Sequence, residues 1–140
     1  MNCRQIYFAT ICLCLAFTVG CGPKIETAIV TGTLTKGGQP LDGVMVYFMP
    51  DPTKGTAGGV SSCVTDEEGK FVLNYGFEDG DSGAAIGWHC VTLEDFVSEN
   101  FRGPGRPPAS RVPKKYMDPF KTPLKVEVID GEQDIALVVE

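Results

Sequence analysis

The stretch Leu41-Asp42-Gly43-Val44-Met45-Val46-Tyr47-Phe48-Met49-Pro50 constrains this chain more than any other. Successive strand residues point to opposite faces, so Val44, Val46 and Phe48 share one face and Met45, Tyr47 and Met49 the other. Both faces are apolar, the pattern of a strand in the middle of a sheet. Such a strand needs a partner along each edge and cover on each face, and the rest of the sequence offers short strands and almost no helical periodicity. Gly and Pro, 17 and 10 of the 140 residues, punctuate Val-rich runs and favour an all-β domain with many turns. A chain of this length supports one domain with a modest two-layer core. The net charge of −6 excludes a general nucleic-acid binder, which needs a basic surface.

Taken in order, the strand signals are 28–35, 44–49, 60–65, 70–75, 88–93, 124–129 and 135–139. Gly37-Gly38 reverses the first into the second, Asp66-Glu67-Glu68-Gly69 joins the third and fourth as a hairpin, and Asp130-Gly131-Glu132 joins the last two. Between Ser98 and Thr122 prolines remove too many backbone donors for regular pairing, so this is a long basic loop. The expectation is a seven-stranded antiparallel β-sandwich, with Val44, Val46, Phe48, Phe71, Leu73, Val91, Leu93, Val126 and Val128 in its core.

The N-terminus carries an address. Arg4 precedes an apolar run from Ile6 to Val19 that has the length of a signal-peptide core and is too short to span a bilayer comfortably. Thr18-Val19-Gly20-Cys21 then resembles the lipobox of bacterial lipoproteins, with Thr18 where Leu is commonest. The resemblance implies a signal peptide over 1–20, acylation of Cys21 as the lipid-attachment residue, and a tether over 21–27 before a domain at 28–140. Gly22 in the second mature position resembles lipoproteins sent on to the outer membrane.

The domain carries a resemblance of its own. Val30-Thr31-Gly32, then Gly38 to Val46, Thr65 to Phe71 and Gly87-Trp88-His89-Cys90-Val91 are similar, in order and spacing, to the motifs of the carboxypeptidase regulatory-like domain, one of the transthyretin-like (prealbumin-like) β-sandwiches. Pro113 to Pro119 followed by Leu124 to Val128 resembles the ending of small planctomycete-type lipoproteins built on that domain. The pattern departs at His89, where the family usually has Tyr. One branch of the transthyretin-like fold hydrolyses 5-hydroxyisourate with His and Arg residues and a C-terminal Tyr-Arg-Gly-Ser. This chain has one His and ends Leu137-Val138-Val139-Glu140, so the resemblance does not extend to that activity.

Other candidate chemistry is weighed against plainer roles. His89 shares a face with Val91 and Leu93, so a hydrogen-bonded core histidine is expected in place of a general base. Glu78-Asp79-Gly80-Asp81-Ser82-Gly83 offers hard oxygen donors, but counted as a calcium loop from Asp79 the bidentate position falls on Cys90, so a solvated acidic turn is expected and no metal. Cys63 and Cys90 are the thiols of the mature chain besides Cys21; Cys90 is expected outward and Cys63 in a small inward site, which disfavours a bridge between them. Arg102, Arg106, Arg111, Lys114, Lys115 and Lys121 gather in the long loop and could meet anionic lipid or polysaccharide, although a solvated loop is the preferred reading. The function expected is a non-catalytic, lipid-anchored cell-envelope protein, at the outer membrane or periplasmic face, with a structural or binding role. It requires no cofactor, and its partners are the membrane and an envelope protein or polysaccharide. The alternative is an accessory domain whose loops bind carbohydrate or peptide, and a transthyretin-related hydrolase comes third.

Overall fold

The computed structural model describes residues 24–76 and 81–140. The signal sequence, Cys21, Gly22 and the acidic residues Glu78 and Asp79 lie outside the described residues. Among the described residues the chain is mostly β, in two five-stranded sheets with no closed barrel. The strands are β1 (Thr27–Lys36), β2 (Gln39–Pro40), β3 (Val44–Pro50), β4 (Ser61–Val64), β5 (Lys70–Val72), β6 (Asn74–Tyr75), β7 (Ala84–Ala85), β8 (Gly87–Asp95), β9 (Lys125–Val128) and β10 (Glu132–Val139). A single helical turn, α1 (Phe96–Glu99), follows β8.

The strand at 44–50 lies where its pattern places it. In the second sheet, ordered β6-β4-β3-β8-β9, β3 is central and pairs antiparallel with β4 and β8. Val44, Val46 and Phe48 are fully buried, while Met45, Tyr47 and Met49 on the outer face are half-buried. The cover expected on that outer face is therefore only partial. In the first sheet β1 is the spine, with β10 along one edge and β2, β5 and β7 in succession along the other.

Three expected pairings are corrected. The turn at Gly37-Gly38 folds β1 back only onto the two residues of β2, and β3 belongs to the other sheet. The expected strand at 70–75 is divided: β5 pairs with β1, Leu73 crosses between the sheets, and β6 pairs with β4. Phe71 and Leu73 both need burial, and the crossing brings Phe71 to within 6.5 Å of Phe48, ring centre to ring centre, across the core. The last two strands form no hairpin, because β9 pairs with β8 while β10 runs parallel to β1. The fold is thus not wholly antiparallel, and division of the strand at 70–75 together with the two unexpected two-residue strands β2 and β7 gives ten strands among the described residues.

Eight of the nine expected core residues are buried, and Val126, half-buried, packs against the rest. Between the sheets also lie Val30, Leu34, Leu137 and Val139. At Gly32 any Cβ would overlap Ile135 O and the Phe71 ring, so this close approach of β1, β5 and β10 requires glycine. The long loop adds two unexpected members, Val112 and Tyr116, each 2% exposed. Tyr116 sits on a 3-10 turn at Lys114–Tyr116, and its hydroxyl accepts from Glu140 N at 3.2 Å, tying the loop to the end of β10.

Candidate functional site

The two ends of the domain differ in chemistry. At the end where β8 finishes, Asp95 is 1% exposed on the inner face, opposite Val44. Its carboxylate accepts from Arg111 N at 2.8 Å, Arg111 Nε at 3.1 Å and Arg111 Nη2 at 2.8 Å. Arg111 also donates to Asp42 Oδ1 at 2.8 Å and Asp42 O at 2.7 Å, which pins the long loop to the turn before β3. Burial opposes ionisation of Asp95, but the Arg111 hydrogen bonds and charge outweigh it and hold the carboxyl below its ordinary range. Asp95 and Asp42 in turn raise Arg111 further. Lys121 is paired with Asp118 at 3.1 Å, and Lys115 lies over the Tyr116 ring at 4.9 Å. Arg111 is thus a structural clamp, and Lys121 is paired within its own turn.

At the other end, where β3 runs out at Pro50, the chain turns tightly. Asp51 N donates to Trp88 O at 2.8 Å, and Asp51 Oδ1 accepts from Thr53 Oγ1 at 2.6 Å and Thr53 N at 2.9 Å. The Thr53 hydroxyl holds the Asp51 carboxyl below its ordinary range, helped by Lys125 and Lys54. Beside this turn Met49, Pro50, Pro52, Cys90, Pro119 and Phe120 form the walls of an open cleft of about 400 Å³. Lys125 Nζ reaches into it, 2.9 Å from Cys90 Sγ and 3.3 Å from Pro119 O. Cys90 thus faces outward on its strand, as its phase requires.

The remaining candidates fall elsewhere. His89 is 1% exposed and faces the core, 5.8 Å from the Phe48 ring. One ring nitrogen, Nδ1, lies 3.0 Å from Gly87 O, while Nε2 has no partner. Burial pushes its pKa below the ordinary value, and the Gly87 carbonyl offsets this in part. The histidine is therefore a core residue, satisfied on one side only, and β8 itself separates it from the outer cleft. Cys63 opposes Val46 and Cys90 opposes Met49, which puts the two thiols on opposite faces of the sheet with β3 between them. Both are free, and burial pushes the Cys63 thiol up to about 12. Among the described residues no group of three His, Cys, Asp or Glu side chains could hold a metal ion, and no helix is long and apolar enough to cross a membrane. Asp81 lies at the edge of the acidic turn, and its carbonyl accepts from Tyr75 N at 2.7 Å.

A second, smaller cleft of about 310 Å³ lies on the same outer face, nearer the Asp95 end, lined by Tyr47, Thr92, Leu93, Glu94, Glu99 and Met117. The Tyr47 hydroxyl donates to Glu94 Oε2 at 3.3 Å, and desolvation with the nearby carboxylate raises its pKa. Sequence reasoning placed Tyr47 on this face but did not see Glu99 or Met117 folding over to meet it, because nothing in the proline-rich loop signals where it returns. Comparison with protein families, with characterised proteins and with solved structures finds no match to this chain.

Proposed function

We propose that this chain is a non-catalytic, lipid-anchored protein of a bacterial cell envelope, built on a prealbumin-like sandwich of the carboxypeptidase regulatory-like kind. The observation that carries the reading is where the packed chain begins. Ile25 already lies against Gly58, and Glu26 O accepts from Ile86 N at 3.0 Å, so the domain starts almost immediately after Cys21. β1 opens at Thr27, one residue before the expected domain start at 28. The lipobox-like sequence before Cys21 gives its thiol a role as acyl acceptor.

The test is fractionation of cells grown with a labelled fatty acid. The parent should carry label and sediment with membranes, and Cys21→Ser should carry none, since acyl transfer needs the thiol. Label on Cys21→Ser, or an unlabelled parent free in the periplasm, would leave only a secreted sandwich. The accessory-domain reading draws support from the Tyr47 cleft, where an aromatic face stands beside Glu94 and Glu99, a combination that suits a saccharide. Retention of the parent, but not of Tyr47→Ala, on a glycan array would favour it.

A further inference from the structure

We infer that the Trp88–Phe120 surface is a second, non-covalent contact with the anchoring bilayer, seated at the boundary between headgroups and acyl chains; this rests on the acylation of Cys21 proposed above. Three lines of geometry converge on it.

The first is reach. Lys24 stands three residues after Cys21, and three extended residues span about 11 Å at most. A lipid-bearing Cys21 therefore holds the adjoining end of the domain at the headgroups. That end is fixed by the pairings Thr27 with Ala85, Gly87 with Val128 and Pro50 with His89, so the start of β1, the start of β8 and the end of β3 lie together.

The second is what this end exposes. Phe120 is 95% exposed, Ile129 55%, Ile29 45% and Trp88 37%. An exposed Phe forgoes the stabilisation that burial would supply. Yet Phe120 is held out on an ordered turn. Asp118 Oδ1 accepts from Phe120 N at 2.9 Å, and Asp118 O accepts from Thr122 N at 2.8 Å and Lys121 N at 3.0 Å. The turn presents the ring ready-formed beside Met49, Pro50, Pro52 and Pro119.

The third is charge. Lys54 Nζ sits 5.9 Å from the centre of the Trp88 ring, and Lys121 and Lys125 flank Phe120, which places cations at phosphate level around two aromatic rings. The carboxylates near them are Asp51, held by Thr53, Asp118, paired with Lys121, and Glu127, opposite Trp88. At the start of β1 Glu26, Asp81 and Asp130 stand with Lys24, so this end as a whole is not net cationic. Apolar insertion under the constraint of the anchor, more than attraction to anionic lipid, supplies the contact.

Trp88 is the one tryptophan in the sequence, so its emission reports this surface alone. The acylated parent is reconstituted into phosphatidylethanolamine–phosphatidylglycerol vesicles with and without brominated acyl chains, beside the mature chain carrying Cys21→Ser. The expected result is that the parent floats with the vesicles, its emission shifts to the blue and brominated lipid quenches it. Phe120→Ser, a surface change, should float equally well and lose most of the quenching, while Lys54→Gln, also at the surface, should keep most of it. A parent that floats while Trp88 emits as in the lipid-free Cys21→Ser chain overturns this inference and leaves the anchor standing. A parent that does not float overturns the anchor, and the Cys21→Ser chain titrated with excess brominated vesicles then decides: weak quenching abolished by Phe120→Ser upholds the lipid surface, and none refutes it. A Trp88 shift produced by soluble oligosaccharide without lipid would assign the patch to carbohydrate and likewise refute it.

Discussion

Removal of the Arg111 side chain should unseat the long loop and destabilise the whole domain. Arg111→Ala keeps the backbone hydrogen bond to Asp95 but deletes those from Nε and Nη2, together with both bonds to Asp42. Asp95, 1% exposed, is left as a buried carboxylate with one donor from that segment. Breaking a buried ion pair on one side typically costs about 3–5 kcal/mol. The Arg111 side chain is itself 35% exposed, so water can enter the vacated space. That solvent screening reduces the expected cost to about 2–3 kcal/mol. For a domain of this size it corresponds to a fall in Tm of roughly 10 °C. Thermal unfolding followed by circular dichroism across pH measures both the size and the sign. In the parent the Asp95 carboxyl is held below its ordinary 3.8, so its stabilisation is present above that value and is lost as pH falls through the folded pKa. In the variant burial remains and most of the compensation is gone, so protonation relieves the penalty and the gap from the parent narrows on acidification. A variant that melts with the parent, or a gap unchanged between about pH 7 and about pH 3, would refute the clamp.

Two further outcomes follow from buried groups. The folded state lowers the pKa of His89 below 6.5 while the unfolded chain leaves it near that value, so the unfolded state takes up the proton first. Stability should therefore be full above about pH 6.5 and fall below it, by at most about 1.4 kcal/mol per pH unit, until the folded pKa is reached. His89→Leu should flatten that slope in a denaturant series, and a slope unchanged in His89→Leu would assign it to other groups. The thiols should differ in reactivity because access differs: Cys90, in the open cleft beside Lys125, should be alkylated in the native protein, and Cys63, buried and pushed up to about 12, only on unfolding. Mass spectrometry of the alkylated chain checks this, and equal labelling of both, or a disulfide between them, would contradict the placement on opposite faces.

Much of the core was legible because period-two alternation survives whichever partner a strand takes. Val44, Val46 and Phe48 point inward by their own phase, and so do Val91 and Leu93. The same logic placed Cys63 inward, Cys90 outward and His89 in the core. Pairing was less legible, since phase says which face a residue takes and nothing about which edge finds which neighbour. Lys70 to Tyr75 looks like one strand because its alternation continues, yet Leu73 carries it from one sheet to the other. The parallel pairing of β10 with β1 has no local signal at all, because the turn at Gly131 would serve a hairpin equally well. Val112 and Tyr116 were masked by the prolines around them, and nothing local distinguishes them as the inward pair from Phe101, Met117 and Phe120 in the same stretch.

These misses bear on function through the long loop. In the sequence it reads as a solvated loop, with an electrostatic surface as the alternative; folded, it spends Arg111 on Asp95 and Asp42, Tyr116 on the core and Thr122 on Val91 O at 2.7 Å. Thr122 and Tyr116 fix the turn between them, and the exposed tip of that turn is Phe120, carried to the side of the cleft below β3. The prolines that prevent regular pairing thus leave a connection stiff enough to hold one apolar ring out in solvent at the end of the domain from which the chain leads back to Cys21. A flexible loop would let Phe120 collapse into the cleft beside Met49 and Pro52. Its display argues that this part of the loop is shaped for an apolar surface, while the Arg111 clamp at the opposite end keeps it in place.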